Sequence, residues 1–164
     1  MVVAKFDRYD MLNNPLDDTA AFTIWFSGCN MKCENCQNPV LWDSNRGIEY
    51  NWKEVADVAI SVCNTYKMKY VVLLGGEPLQ QFKTELILLC GALKEAGISI
   101  WLYTGYDIDN IPDEIKKTLY TAKCGRYINN LKQDGFPASS NQRVYRNIAG
   151  DLVDITEQFR RLVD

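Results

Sequence analysis

Tyr70-Val-Val-Leu-Leu-Gly-Gly-Glu-Pro78 is the stretch that decides the fold. Tyr70 to Leu74 run apolar without alternation and stop at Gly75-Gly76, as expected for a short strand covered on both faces. Such a strand belongs to a parallel sheet, and parallel neighbours need crossovers, usually helices. The flanking sequence supplies them on both sides. Downstream, Phe82, Leu86, Leu89, Cys90 and Leu93 recur at helical spacing, Gly97 stands as a C-terminal cap, and Ile98 to Tyr103 reads as the next strand, closed by Gly105. Upstream, Asn51 and Glu54 form a capping-box start, and Val55, Val58, Ala59, Val62 and Tyr66 follow as one amphipathic stripe. Before that helix, Ala21 to Ser27 is β-branched and aromatic and predicts a strand ending at Gly28.

Further out the signals thin. Pro112 opens a helix running towards Tyr120. Weaker strands are expected around Arg126 to Ile128 and Gln142 to Tyr145. Asp154 and Glu157 would cap a last helix carrying Ile155, Phe159, Leu162 and Val163, so that Asp151 to Asp164 packs on the sheet as a helix. No repeat, low-complexity tract or linker divides the 164 residues, which predicts one domain, 1–164. The expectation is an α/β fold with a mostly parallel sheet. A closed eightfold barrel needs about 250 residues, so the sheet should be an open partial (β/α) barrel. In such sheets the working groups lie at the C-terminal ends of the strands. The segments after the three clearest strands are then candidates: Gly28 onward, Gly75-Gly76-Glu77-Pro78, and Thr104-Gly105-Tyr106.

Composition removes several classes of function. Net charge is −3, with acids and bases mixed and no basic stripe, so no nucleic-acid partner is expected. No apolar run is long enough to span a bilayer, and Met1 to Arg8 carries no secretory h-region, so no membrane role and a cytoplasmic location are expected. Histidine is absent, which removes Ser-His-Asp and Cys-His catalysis and histidine-ligated metals. In a reducing compartment the six cysteines read as metal ligands, redox groups or buried thiols.

Three of the six form Cys29-Asn-Met-Lys-Cys33-Glu-Asn-Cys36. A loop of that spacing can wrap one corner of a cubane cluster. Most [4Fe–4S] clusters take four cysteines, and three leave one iron with an open position, which is what binds and activates a ligand. The bland alternative is a structural zinc knuckle completed by Cys63, Cys90, Cys124 or a carboxylate. Cys63 and Cys90 fall among apolar helix positions and read as core thiols. Cys124 reads as a core thiol as well, with a redox role open. Trp25, Phe26, Trp52 and Trp101 are expected in the core.

The cysteine spacing resembles the radical S-adenosylmethionine superfamily, and Gly75-Gly76-Glu77-Pro78 resembles its glycine-rich segment that receives the methionine amino group. Within it, Cys36-Gln37-Asn38-Pro39, Leu102-Tyr103-Thr104-Gly105-Tyr106 and Ser139-Ser140-Asn141-Gln142-Arg143-Val144 look like the family of anaerobic ribonucleotide reductase-activating proteins, from about Tyr9 to Val144. One departure is Cys124-Gly125, where that family usually has an acidic residue before the glycine. The resemblance implies a radical S-adenosylmethionine fold and a [4Fe–4S] cluster on Cys29, Cys33 and Cys36. It implies cofactor contacts from Gly75, Gly76, Glu77, Pro78, Thr104, Asn38, Asn141 and Arg143. The implied reaction is reductive cleavage of S-adenosylmethionine to a 5′-deoxyadenosyl radical, which makes a glycyl radical on the large anaerobic ribonucleotide reductase subunit. A low-potential donor such as a flavodoxin or ferredoxin would supply the electron. Two other readings stay open: a radical enzyme for another glycyl-radical enzyme or a small metabolite, and a non-catalytic metal-binding or electron-transfer module.

Overall fold

Strand and helix alternate through the middle of the chain, and the alternation fails at both ends. In the computed structural model, which describes residues 1–11 and 19–160 (side chains for 1–7 and 19–160), β1 (Val2–Met11) lies antiparallel to β2 (Ala20–Phe26). After a cysteine-bearing loop come the two-residue β3 (Ile48–Glu49), α1 (Trp52–Tyr66), β4 (Tyr70–Gly75), α2 (Lys83–Glu95), β5 (Ser99–Tyr103), the short α3 (Asp113–Lys116) and β6 (Leu119–Cys124). The chain ends in the hairpin β7 (Arg143–Ile148) and β8 (Asp151–Asp154) and the short α4 (Thr156–Arg160). The eight strands form one sheet in the order β3-β1-β2-β4-β5-β6-β7-β8.

The helices start and stop where side chains dictate. Asn51 and Glu54 exchange both bonds of a capping box at the start of α1. At the end of α2, Gly97 takes φ +76°, while its N–H and that of Ile98 donate to the carbonyls of Lys94 and Leu93. This is a Schellman closure.

The sheet is mixed, which corrects the mostly parallel expectation. Only β2–β4, β4–β5 and β5–β6 pair in parallel; the pairs at either side are antiparallel. Three further expectations change. The helix after Pro112 ends at Lys116, and Leu119–Cys124 is the strand; Arg126 to Ile128 lies beyond it. Asp151–Asp154 is a strand and not helix, because Ala149 and Gly150 take φ +54° and +97° and turn the chain back on β7. On α1 the buried stripe is Val55, Ala56, Ala59 and Cys63, and Val58 and Tyr66 face out. Leu162 and Val163 lie outside the described residues.

The larger core lies between the sheet and α1 and α2. It takes Phe22, Ile24 and Phe26 from β2, Val71 and Leu73 from β4, Ile100 and Leu102 from β5, and Ala122 and Cys124 from β6. Each large side chain buried here is worth roughly 1.5–3 kcal/mol relative to its exposed state. The other face carries a smaller cluster of Ala21, Val72, Trp101, Val144, Ile155 and Phe159, with Phe136 packed against it. That cluster closes one end of the inner face. The remainder of the face stays open, and the loops at the C-terminal ends of β2, β4, β5 and β6 gather there. No described helix is long and apolar enough to cross a membrane.

Candidate cluster and cofactor site

The open part of the inner face is a cavity of about 440 Å³. Its wall is built from strand residues of alternate parity to the core: Thr23 and Trp25 of β2, Val72 and Leu74 of β4, Tyr103 of β5 and Lys123 of β6. Its rim carries all three clustered cysteines, Cys29, Cys33 and Cys36, each partly exposed. Burial pushes the Cys29 thiol up, helped by the nearby Glu77, Cys33 and Cys36, and a hydrogen bond from the Met31 backbone works against it.

Close backbone approach brings the cysteine loop and the glycine-rich segment together. The N–H of Gly76 donates to the carbonyl of Phe26 at 2.8 Å, and that of Glu77 to the carbonyl of Gly28 at 2.9 Å. A Cβ on Gly75 would stand 2.6 Å from the Phe26 backbone, and one on Gly76 would stand 2.5 Å from the Gly28 oxygen. Gly75 also has φ +112°. Only glycine fits this junction.

Glu77 is buried at the cavity's edge with its carboxylate already engaged. Oε1 accepts from the Leu79 N–H at 3.0 Å and the Thr104 hydroxyl at 2.7 Å, and Oε2 accepts from the Gly105 N–H at 2.8 Å. Burial raises its pKa, and these three donors and Lys123 oppose the rise. The carboxylate thus ties the loop after β4 to the loop after β5 and keeps one lone pair of Oε2 spare.

Lys123 is the one cation among the cavity-lining residues. Its ammonium lies 5.8 Å from the Tyr103 ring centroid, and no described carboxylate stands within salt-bridge distance. Burial lowers its pKa to about 8, while the negative fields of Cys124, Glu77 and Cys33 favour the charged form. A cation held in a cavity without a carboxylate partner can receive an anionic ligand group.

The structure brings together Cys29, Cys33, Cys36, Asn38, Gly75, Gly76, Glu77 and Thr104 around this cavity. It places Pro78 outside, buried at the start of a 3₁₀ turn. Asn141 and Arg143 do not line the cavity either; Arg143 is 3.8 Å from Glu157 at the surface. Sequence reasoning passed over Lys123 and Tyr127 as lining residues, and Trp25, which also lines the cavity, is expected from sequence in the core. A lysine between two buried residues of a strand, Ala122 and Cys124, was the available signal for Lys123.

The donor set fits an iron–sulfur cluster. Among the described residues no three Cys, Asp or Glu side chains converge on one point as a single ion requires. A cluster with one iron for each thiol does not ask them to. Cys63, Cys90 and Cys124 are buried, with Cys63 raised to about 11 and the other two to about 12 by burial. They are poor ligands and poor nucleophiles.

Comparison with known proteins agrees with this donor set. Residues 19–145 match the 4Fe-4S single cluster domain family. The anaerobic ribonucleoside-triphosphate reductase-activating protein of Enterobacteria phage T4 is 30% identical over an alignment of 154 residues that covers 89% of this chain and 96% of that protein. A pyruvate formate-lyase-activating enzyme of Listeria monocytogenes is 35% identical over 81 residues, covering 47% of this chain and 32% of the enzyme. A 7-carboxy-7-deazaguanine synthase of Synechocystis is 32% identical over 84 residues, or 37% of its length. With a family match across most of the chain and an activating protein covered almost end to end, this chain belongs to the 4Fe-4S single-cluster family and to its radical S-adenosylmethionine activating proteins.

Proposed function

We propose that this chain, as one radical S-adenosylmethionine domain over 1–164 with a partial-barrel sheet, activates an anaerobic ribonucleotide reductase by placing a glycyl radical on its large subunit. The observation that carries this reading is the convergence of three thiols, a glycine junction and one cation on a single cavity. The end-to-end similarity to a reductase-activating protein selects the partner.

Cys29, Cys33 and Cys36 would hold three irons of a [4Fe–4S] cluster and leave the fourth for the amino acid part of S-adenosylmethionine. Bound there, the pair would supply one-electron cleavage of the sulfonium and a 5′-deoxyadenosyl radical able to take hydrogen from a glycine. The chain's own residues orient the cofactor. Carbonyls of the Gly75–Gly76 junction and the spare lone pair of Glu77 would accept from its amino group, and Lys123 would donate to its carboxylate. Trp25, Val72, Leu74 and Tyr103 offer apolar wall to the nucleoside. Asn38 and Thr104 are its polar neighbours at the rim.

The electron would come from a low-potential flavodoxin or ferredoxin in a reducing cytoplasm. The cavity's open mouth suits a protein loop as substrate better than a small molecule, which enzymes usually enclose. The partial match to pyruvate formate-lyase-activating enzymes keeps another glycyl-radical enzyme as the second reading.

Anaerobic reconstitution with iron and sulfide tests the reading. A reduced cluster should give an electron-spin signal that shifts with S-adenosylmethionine, and strong reductant should yield 5′-deoxyadenosine. Mixing with the reductase should raise a glycyl-radical signal on it. Reconstituted chain that forms no deoxyadenosine overturns the enzyme reading; deoxyadenosine without a radical on the reductase moves the partner to the second reading.

A further inference from the structure

The cysteine loop is held unequally along its length. From Gly28 to Met31 every residue is tied to another part of the chain. The N–H groups of Gly28 and Cys29 donate to the carbonyls of Leu41 and Trp42 at 2.8 and 3.1 Å. Asn30 is gripped twice by the Gln80 amide: its N–H donates to Gln80 Oε1 at 3.0 Å, and Gln80 Nε2 donates to Asn30 Oδ1. Met31 lies so close on Gly105 that a Cβ there would stand 2.2 Å from its sulfur, and the Met31 carbonyl accepts from the Arg126 guanidinium. The loops after β4, β5 and β6 thus each reach this half, the first with three hydrogen bonds. From Lys32 to Gln37 the one backbone bond is the turn from Cys36 N–H to Cys33 carbonyl at 3.2 Å, and Lys32, Glu34, Asn35 and Gln37 are exposed.

Arg126 is itself braced from behind. Asn141 Nδ2 donates to the Arg126 carbonyl at 2.8 Å, and Gln142 Nε2 donates to the Gly125 carbonyl at 2.9 Å. Gln142 Oε1 in turn accepts the Ser139 N–H at 3.1 Å, which folds the segment into a closed turn. Asn141 Oδ1 is buried without a partner. The hydrogen bond that its amide nitrogen makes is to Arg126.

We propose that Arg126 is a positioning residue that fixes the Gly28–Met31 half of the loop, and so sets Cys29 within it and Cys33 two residues past its end. Asn141 acts on the cluster through Arg126 and not by touching the cofactor, while Gln142 holds the neighbouring Gly125 carbonyl. The proposal rests on the cluster reading above, and it gives Asn141 a role that its place outside the cavity permits. The relay runs from Ser139–Gln142 through Arg126 to Met31, across 95 residues of sequence between its last two members. Arg126 supplies a planar, permanently charged donor to a carbonyl, a charge-assisted bond that a neutral side chain cannot replace.

The test uses the full-length apo chain under anaerobic conditions, with iodoacetamide as probe and peptide mapping to resolve the rate at each cysteine. Arg126→Ala should speed alkylation of Cys29 and Cys33 about tenfold, the scale of one lost charge-assisted hydrogen bond, with the buried Cys63 and Cys90 unchanged. Arg126→Lys should recover part of the protection. Asn141→Asp, which keeps the shape but turns an oxygen to the Arg126 carbonyl, should raise the same two rates by a smaller factor. Lys32→Ala, in the exposed half, should change none. After reconstitution, Arg126→Ala should broaden the electron-spin signal of the reduced cluster. Unchanged rates at Cys29 and Cys33 in both Arg126→Ala and Asn141→Asp overturn the proposal, and so does an equal rise at Cys63 and Cys90, which would mean general loosening. The alkylation needs no cluster, whereas 5′-deoxyadenosine from the unaltered chain tests the cluster reading alone, so either can fail without the other.

Discussion

On β4, Leu73 enters the helix-covered core while Leu74, one residue on, lines the cavity; on β6, Cys124 and Lys123 divide in the same way. Successive residues of a strand point to opposite faces, so the same short strands build two unlike surfaces. The outer one is dry and completed by α1 and α2. The inner one is completed by protein only at one end, where Trp101, Val144, Ile155 and Phe159 meet. What the comparison teaches is a division of labour by parity: one set of residues keeps the sheet folded, and the other set is free to be chosen for chemistry.

The sharpest test of that division lies with the thiols. Cys29→Ala, Cys33→Ala and Cys36→Ala should each leave a folded chain with no stable cluster and no 5′-deoxyadenosine, measured by iron content and product assay. Cys63→Ala, on the outer side, should retain both. Next in size is the core itself. Leu73→Ala should cost about 2–5 kcal/mol of apo stability in chemical denaturation, as buried Leu→Ala changes do, with deoxyadenosine formed per folded molecule unchanged. A loss of turnover beyond the loss of folded protein would break the comparison.

Lys123→Met is the converse. Removing the cavity's cation should raise the KM for S-adenosylmethionine about tenfold, as expected for one charge-assisted bond. The denaturation midpoint should not fall, since a buried charge without a carboxylate partner contributes no stability. A lowered midpoint with unchanged KM would assign Lys123 to the fold instead.

The smallest effect is a pH dependence confined to the outer face. Burial raises Cys90 from its usual 9.0 to about 12. Its thiol stays protonated in the folded chain, so its contribution to stability is fully present below pH 9 and is lost as pH rises towards 12. Comparison of unaltered and Cys90→Ala apo chains by thermal unfolding should show their difference shrinking above pH 9. A constant difference would mean that Cys90 acts through packing alone.

Much of this was legible in sequence because the parallel strands and their crossover helices carry strong local signals. Tyr70 to Leu74 is apolar throughout because both faces are covered, and Asn51 with Glu54 marks a helix start by side-chain chemistry alone. β1 gave no such signal: Lys5 and Asp7 are surface residues that pair with each other at 2.8 Å on a strand near the sheet's margin. β6 was masked by Pro112 and by the good helix formers that follow it, although tertiary pairing with β5 decides its state. The cysteine spacing is local and was read directly. The cavity's cation was not, because a lysine in a strand says nothing by itself about which face it takes. Asn141 became intelligible only once its bond to a residue far back in the chain was seen.

The two ends of the sheet are blunt. One edge strand is two residues long, and the other, Asp151–Asp154, begins and ends in aspartate. Short and acidic edges resist pairing with strands of a neighbouring molecule. An eight-stranded ribbon that stops short of a ring would otherwise be an invitation to polymerise; where β1 runs on past its two paired residues, Val2 and Val3, the charges of Lys5 and Asp7 guard the strand. In colloidal terms, short strands and charge are what stand between this unclosed ribbon and a second copy of itself.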